Sequence, residues 1–294
     1  MILDLIKKLS TYYLCVEWEK KYSLINQKTL LPLFVVSFLS YVKGTKSEIL
    51  VLFKLLQLIF AIDDVFDDKL FDPTPLDTEL FSKAARKNEN ALRSQFLAFF
   101  DDIEASLYQL VDDSDGRKQW RESVSEMINA MNDENKEENR LSLENYLEVS
   151  KKSFGLYMYN LGLALIMKID LKEDPFLLNT IFNSSARFLR LSNDIRSYER
   201  ELEESKINSI GILINQGETL ESAKKKVREV ADAEYNSIAR LYLVNPHLSP
   251  FIMNVLRYID FTDKLYNCTD FRTSKFSQFF KLLFTPVEKF GEPR

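Results

Sequence analysis

Apolar positions in this chain recur every three or four residues over long stretches, the period of helices that bury one face. The pattern predicts a helix over 2–25 and a very apolar one over Leu30 to Val42, where Pro32 fits the first turn. A third runs from Ser47 to Asp68 and stops before Asp72-Pro73-Thr74-Pro75, where two prolines enforce an irregular connection. Helices are expected over Asp77 to Lys87, Glu89 to Val111 and around Trp120 to Met131, with Asp112 to Gly116 and the charged run Asn132 to Arg140 read as solvated loops. Leu141 to Ile169 reads as one long helix with a weak capping signal at Ser142 to Asn145. Inside it Gly155 and Gly162 each cost about 1 kcal/mol relative to Ala, which points to a packing need, a break or close ligand approach.

Further helices follow over Phe176 to Glu204, Ile207 to Asn215, Leu220 to Leu243, Phe251 to Leu265 and Thr273 to Phe284. No repeat, Ser/Gly linker or low-complexity tract marks a border, so residues 1–294 are expected to form a single all-α domain of roughly ten to twelve helices.

Composition sharpens this reading. Only 7 Gly and 8 Pro interrupt 294 residues, and no hairpin signal recurs, which excludes β-rich folds. The net charge of −5 comes without a basic arm or stripe, so the electrostatic footprint of a nucleic-acid binder is missing. Two distant cysteines, Cys15 and Cys268, offer no disulfide framework or zinc cluster, and a lone His247 removes His-based metal sites and Ser-His-Asp triads. Asp4, Lys7 and Lys8 spoil a signal peptide, and Lys43, Lys46 and Lys54 cut the most apolar region below spanning length. These features predict a soluble, cytoplasmic protein without stable membrane insertion.

The informative stretch is Asp63-Asp64-Val65-Phe66-Asp67-Asp68, which ends a helix that otherwise carries Leu52, Leu55, Leu56, Ile59, Phe60 and Ile62. Ionised carboxylates are almost never buried unpaired, and like charges four apart destabilise a bare helix. A bound cation would relieve both. An acidic helix end taken alone is more often a solvated face. A second element changes the balance: Asn193, Ser197 and Glu201 fall at i, i+4 and i+8 and stack an amide oxygen, a hydroxyl and a carboxylate on one helical stripe. Such a set suits Mg²⁺, which takes few protein ligands and completes its octahedron with water and phosphate oxygens.

Together, Asp63-Asp64-Val65-Phe66-Asp67 and Asn193-Asp194-Ile195-Arg196-Ser197-Tyr198-Glu199-Arg200-Glu201 resemble the aspartate-rich motif and the Asn/Ser/Glu triad of class I terpene synthases. The order, the gap of about 130 residues and the following Ile207-Asn208-Ser209 and Gly217 to Ala223 are similar to microbial members. The resemblance implies an all-α terpene cyclase fold, a helical bundle around a central apolar cavity. It also implies a lyase that ionises a linear prenyl diphosphate and cyclises the carbocation, with three Mg²⁺ as cofactor and Mn²⁺ as a substitute. The metal set carried over is Asp63, Asp64 and Asp67 with Asn193, Ser197 and Glu201; for Asp64, as for Asp68, hydrogen bonding to basic neighbours is the alternative role.

For the diphosphate the resemblance implies Arg200, next to the triad glutamate, and a late Arg-Tyr pair, either Arg257-Tyr258 or Arg272 after Tyr266. Lys151 stands where a diphosphate-sensing Arg is expected, four positions ahead of Gly155, and lacks the guanidinium fork. Leu56, Ile59 and Phe60, with Phe154, Gly155 and Met158, are placed to form the cavity wall, although each serves equally well as core packing. Farnesyl diphosphate is the favoured substrate, with C20 diphosphates close behind; a homodimer stays open. The rivals are a chain-elongating isoprenyl diphosphate synthase, which normally carries two aspartate-rich motifs, and a non-enzymatic helical interaction protein. A class II cyclase would need an Asp-x-Asp-Asp stretch, which does not occur.

Overall fold

The computed structural model describes residues 2–22, 29–71, 73, 76–82, 90–134, 136 and 142–268. Among them are twelve α-helices: α1 (Ile2–Glu19), α2 (Leu30–Ser40), α3 (Lys46–Asp67), α4 (Leu76–Phe81), α5 (Ala91–Leu110), α6 (Ser114–Asp133), α7 (Leu143–Ser153), α8 (Leu156–Ile166), α9 (Pro175–Glu203), α10 (Ser209–Asn215), α11 (Leu220–Val244) and α12 (Ser249–Cys268). The helix expected over Thr273 to Phe284 lies outside the described residues. No helix among them is long and apolar enough to cross a membrane.

Local chemistry sets the helix starts. Thr45 and Glu48 form a reciprocal capping box at α3, and the side chains of Asn90, Asp113, Ser142, Asp174, Asn208 and Thr219 each accept a first-turn N–H. The cap at Asp113 corrects the expected loop over Asp112 to Gly116, because α6 already begins at Ser114. Arg117 helps by donating to the carbonyls of Val111 and Tyr108 at 2.6 and 2.8 Å, which anchors the turn between α5 and α6.

The expected helix over Leu141 to Ile169 is two helices. Gly155 takes φ +77°, a left-handed conformation, and α8 restarts at Leu156. A Cβ on Gly155 would lie 2.7 Å from Met127 Sδ and 2.8 Å from Ile59 Cγ1, so space as well as backbone requires glycine. At Gly162 a Cβ would approach Leu55 Cδ1 to 2.5 Å, which marks the close crossing of α8 on α3.

α8 is the axis of the fold. Every residue in it except Tyr157 is buried, as expected of a helix apolar on all sides, and it packs against α3, α5, α6, α7 and α9. Its polar groups are satisfied internally: Tyr159 donates to Ser40 Oγ at 2.6 Å, Asn160 to Ser185 Oγ at 2.7 Å, and Asn160 Oδ1 accepts from Tyr258 at 2.7 Å. α8 is thereby tied to α2, α9 and α12, which holds α3 and α9 on either side of a common neighbour.

Two predictions follow from this packing. Gly155→Ala should lower unfolding stability by roughly 1–3 kcal/mol in urea denaturation, whereas Gly211→Ala, with nothing within 4 Å of the new Cβ, should not destabilise. Glu19, the last residue of α1, is buried near Gln57, and desolvation pushes its carboxyl up to about 7. The folded state then binds more protons than the unfolded chain, so this contribution is complete below the ordinary value of 4.5 and is lost as pH rises to about 7. Glu19→Gln should raise the Tm at pH 8 relative to wild type and leave it nearly unchanged at pH 4.

Candidate active site

The residues of α3 change character along its length. Ile49 to Leu58 are almost all buried, Ile59 and Phe60 are half-buried, and the acidic end follows after Ile62. Leu56, Ile59, Phe60, Asp63 and Asp67 all line one cavity of about 210 Å³. Asp64 is half-buried but does not line it; its carbonyl accepts the N–H of Asp68, the exposed cap residue.

α9 repeats the order. Leu189 lines the cavity first, then Asn193, Arg200 and Glu201. On both helices the apolar lining precedes the polar lining, so the two C-terminal ends converge on the polar end of the cavity. Ser197 lies between Asn193 and Glu201 on the same stripe, and its hydroxyl is turned back to the Asn193 carbonyl at 2.9 Å. Asn208, the cap of α10, donates to Glu201 Oε2 at 2.8 Å and to the Asp194 carbonyl at 3.0 Å, which fixes the glutamate.

Of the expected wall, Leu56, Ile59, Phe60 and Phe154 line the cavity, while Gly155 and Met158 stand behind it. Gly155 acts through Ile59, against which it packs. Tyr258 lines the cavity and donates to Asn160, whereas its neighbour Arg257 does not reach it; Arg272 lies outside the described residues. Lys151 is also away from the cavity, pairing with Glu148 at 2.6 Å on α7.

Three basic groups do line the cavity: Arg190, Arg200 and Lys206. Of these, the sequence pattern points only to Arg200. Arg190 sits one turn before Asn193 and is enclosed by Glu134 at 3.0 Å, Asp194 at 3.0 Å and the Tyr146 hydroxyl. Tyr146 donates to Asp194 at 2.9 Å, and the Ser209 N–H adds a bond at 3.1 Å. Burial pushes the Asp194 carboxyl up to about 6 against the opposing pull of Arg190. Asp194 is therefore a buried anchor for Arg190, turned away from the cavity. The signal for Arg190 was present, since 190, 193, 197 and 201 share one helical stripe. Lys206 reaches Asp67 at 2.7 Å and joins the two helix ends.

The donors presented to the cavity are carboxylate and amide oxygens from opposite sides, a set suited to a hard divalent cation. Among the described residues no three His, Cys, Asp or Glu side chains gather closely enough to hold a metal alone.

Known proteins resemble the chain in both sequence and shape. Residues 54–237 match the family model for terpene synthase family 2, C-terminal metal binding. A stretch of 110 residues is 29% identical to the chloroplastic cis-abienol synthase of Nicotiana tabacum, covering 35% of this chain and 14% of that protein. The fold is similar to linalool/nerolidol synthase from Streptomyces clavuligerus, with a TM-score of 0.69 at 12% identity over 89% of this chain and 94% of that one. It is equally similar to 2-methylisoborneol synthase from Streptomyces coelicolor A3(2), solved with Mg²⁺ and 2-fluoroneryl diphosphate, with a TM-score of 0.69 at 13% identity over 92% and 93% of the two chains. The match over residues 54–237 includes both polar helix ends, and the chain belongs to terpene synthase family 2 and shares the fold of these synthases.

Proposed function

We propose that this enzyme ionises farnesyl diphosphate with three Mg²⁺ ions and cyclises the resulting carbocation, releasing diphosphate. One observation carries the reading: Asp63 and Asp67 on α3 and Asn193 and Glu201 on α9 line a single cavity that also presents Arg190, Arg200 and Lys206 and is walled by apolar side chains such as Leu56, Ile59 and Phe154. In this reading Asp63 and Asp67 hold metal from one side, and Asn193, Ser197 and Glu201 from the other. Ser197 needs only a rotation of its hydroxyl away from the Asn193 carbonyl to join them.

Bound divalent ions would supply the positive charge that draws out the leaving diphosphate. Arg190 would add a planar fork at a fixed position, held by Glu134, Asp194 and Tyr146, and Arg200 a second guanidinium beside Glu201. Arg190 thus takes the role that the sequence pattern assigned to Lys151. The hydrocarbon chain would lie against Leu56, Ile59, Phe60, Phe154 and Leu189, which exclude water from the cation. Phe60, Phe154 and Tyr258 offer aromatic faces, each worth roughly 0.5–2 kcal/mol to a cation. At about 210 Å³ the cavity is small, and a C15 chain fits it with less rearrangement than a C20 chain.

Incubation with C10, C15 and C20 diphosphates and Mg²⁺, read by gas chromatography and mass spectrometry, should give terpene from the C15 substrate; turnover of the C20 substrate alone would refute the size argument. Asp63→Ala and Asn193→Ala should each lower turnover by roughly 100-fold or more with unchanged helical circular dichroism, and near-wild-type activity in either would contradict the metal assignment. Arg190→Lys should lower kcat/KM by roughly tenfold or more, since a point charge replaces a fork, while Lys151→Ala should leave it within about twofold. The reverse ranking would return the diphosphate contact to Lys151.

A further inference from the structure

Lys206 belongs to neither polar motif, yet it is the residue that connects them. Ser205 before it adopts φ +57°, and the Lys206 N–H donates to the Glu201 carbonyl at 2.9 Å. The backbone therefore folds back over the end of α9 and directs the side chain across the cavity towards α3. Its ammonium stands 2.7 Å from Asp67 Oδ2 and 3.1 Å from Glu204 Oε2. Lys206 and Asp67 are 139 residues apart in sequence, and both line the cavity.

An ion pair this open adds little to folding, because solvent screens it and two long side chains lose freedom. Its position suggests another role. Asp63, Asp67, Glu134 and Glu201 line one polar space, and a cation placed there lowers their mutual repulsion. Arg190 cannot move to meet an incoming group, since it is locked among Glu134, Tyr146 and Asp194. Lys206 can: its side chain is 39% exposed, and an ammonium on a flexible stem has three donors free to change partner.

We propose that Lys206 is an exchangeable diphosphate ligand, which holds Asp67 before substrate binds and then transfers to a diphosphate oxygen, releasing the Asp67 carboxylate to a divalent metal. The inference rests on the function proposed above. It makes substrate and metal binding cooperative through one side chain: the diphosphate draws the ammonium off Asp67, and the freed carboxylate strengthens the metal site that grips the same diphosphate. The exchange breaks one ion pair and forms another without net proton transfer.

Titration calorimetry on the full chain separates this from a structural role, because the two ligands should respond with opposite sign. In Lys206→Gln, Mg²⁺ alone should bind about threefold more tightly, since a competing cation has left Asp67. Inorganic pyrophosphate in saturating Mg²⁺ should bind about tenfold more weakly, the cost of one charge-assisted hydrogen bond. Lys206→Arg should recover most of the pyrophosphate affinity. Pyrophosphate binding by Lys206→Gln within twofold of wild type, or a parallel loss for both ligands, overturns the exchange. If wild type itself binds no pyrophosphate in Mg²⁺, the proposed function falls and this inference with it; wild-type binding with an unaltered variant removes only the role of Lys206.

Discussion

The structure turns on carboxylates gathered from two helices at the end of an apolar cavity. α3 is a core helix through Val65, and α9 packs on α7, α8, α10, α11 and α12, so neither can carry its polar end away from the cavity without losing that burial. The carboxylates must instead be balanced where they stand. Part of the balance is built in: Arg190 is fixed by a buried network, Arg200 lies beside Glu201, and Lys206 spans to Asp67. Under the proposed function, the remainder would come from bound divalent cations. A protein of net charge −5 would then hold its anionic substrate where those cations locally invert the sign.

The frame that makes this possible is set by close backbone approach. α8 lies against α3 where Gly162 meets Leu55, and the break at Gly155 seats against Ile59, itself part of the cavity wall. The break also separates α7, whose Tyr146 helps to hold Arg190, from α8, whose Asn160 holds Tyr258. One left-handed residue thus allows the two segments to serve different sides of the cavity. The rigidity comes from packing and from buried hydrogen bonds with both partners satisfied.

Much of this was legible in the chain. The acidic end of α3 and the stripe Asn193, Ser197, Glu201 are local patterns, and a helix turns fixed spacing into a shared face. The apolar residues one or two turns before Asp63 proved to be lining for the same reason. Position relative to a motif points to Lys151 and Arg257, but position does not fix which way a neighbouring helix presents a side chain. Arg190 was overlooked although it lies on the triad's own stripe, because a basic residue on an amphipathic helix ordinarily faces solvent. No pattern marked Lys206. Its pairing with Asp67 depends on the turn at Ser205 and on a contact between segments 139 residues apart.

The sequence by itself determined most of the helices, the cap at Ser142, the two polar stripes and the oxygen-only chemistry they can support, since each follows from interactions within a few residues of chain. It also contained Gly155, though not the choice between a break and a continuous helix, which depends on Met127 and Ile59 closing around it. Tertiary structure alone decided that both stripes open on one cavity, which basic groups reach it, and how much room remains for a hydrocarbon. Those outcomes depend on how distant helices pack, and packing is settled by the volumes of side chains that meet only once the chain has folded.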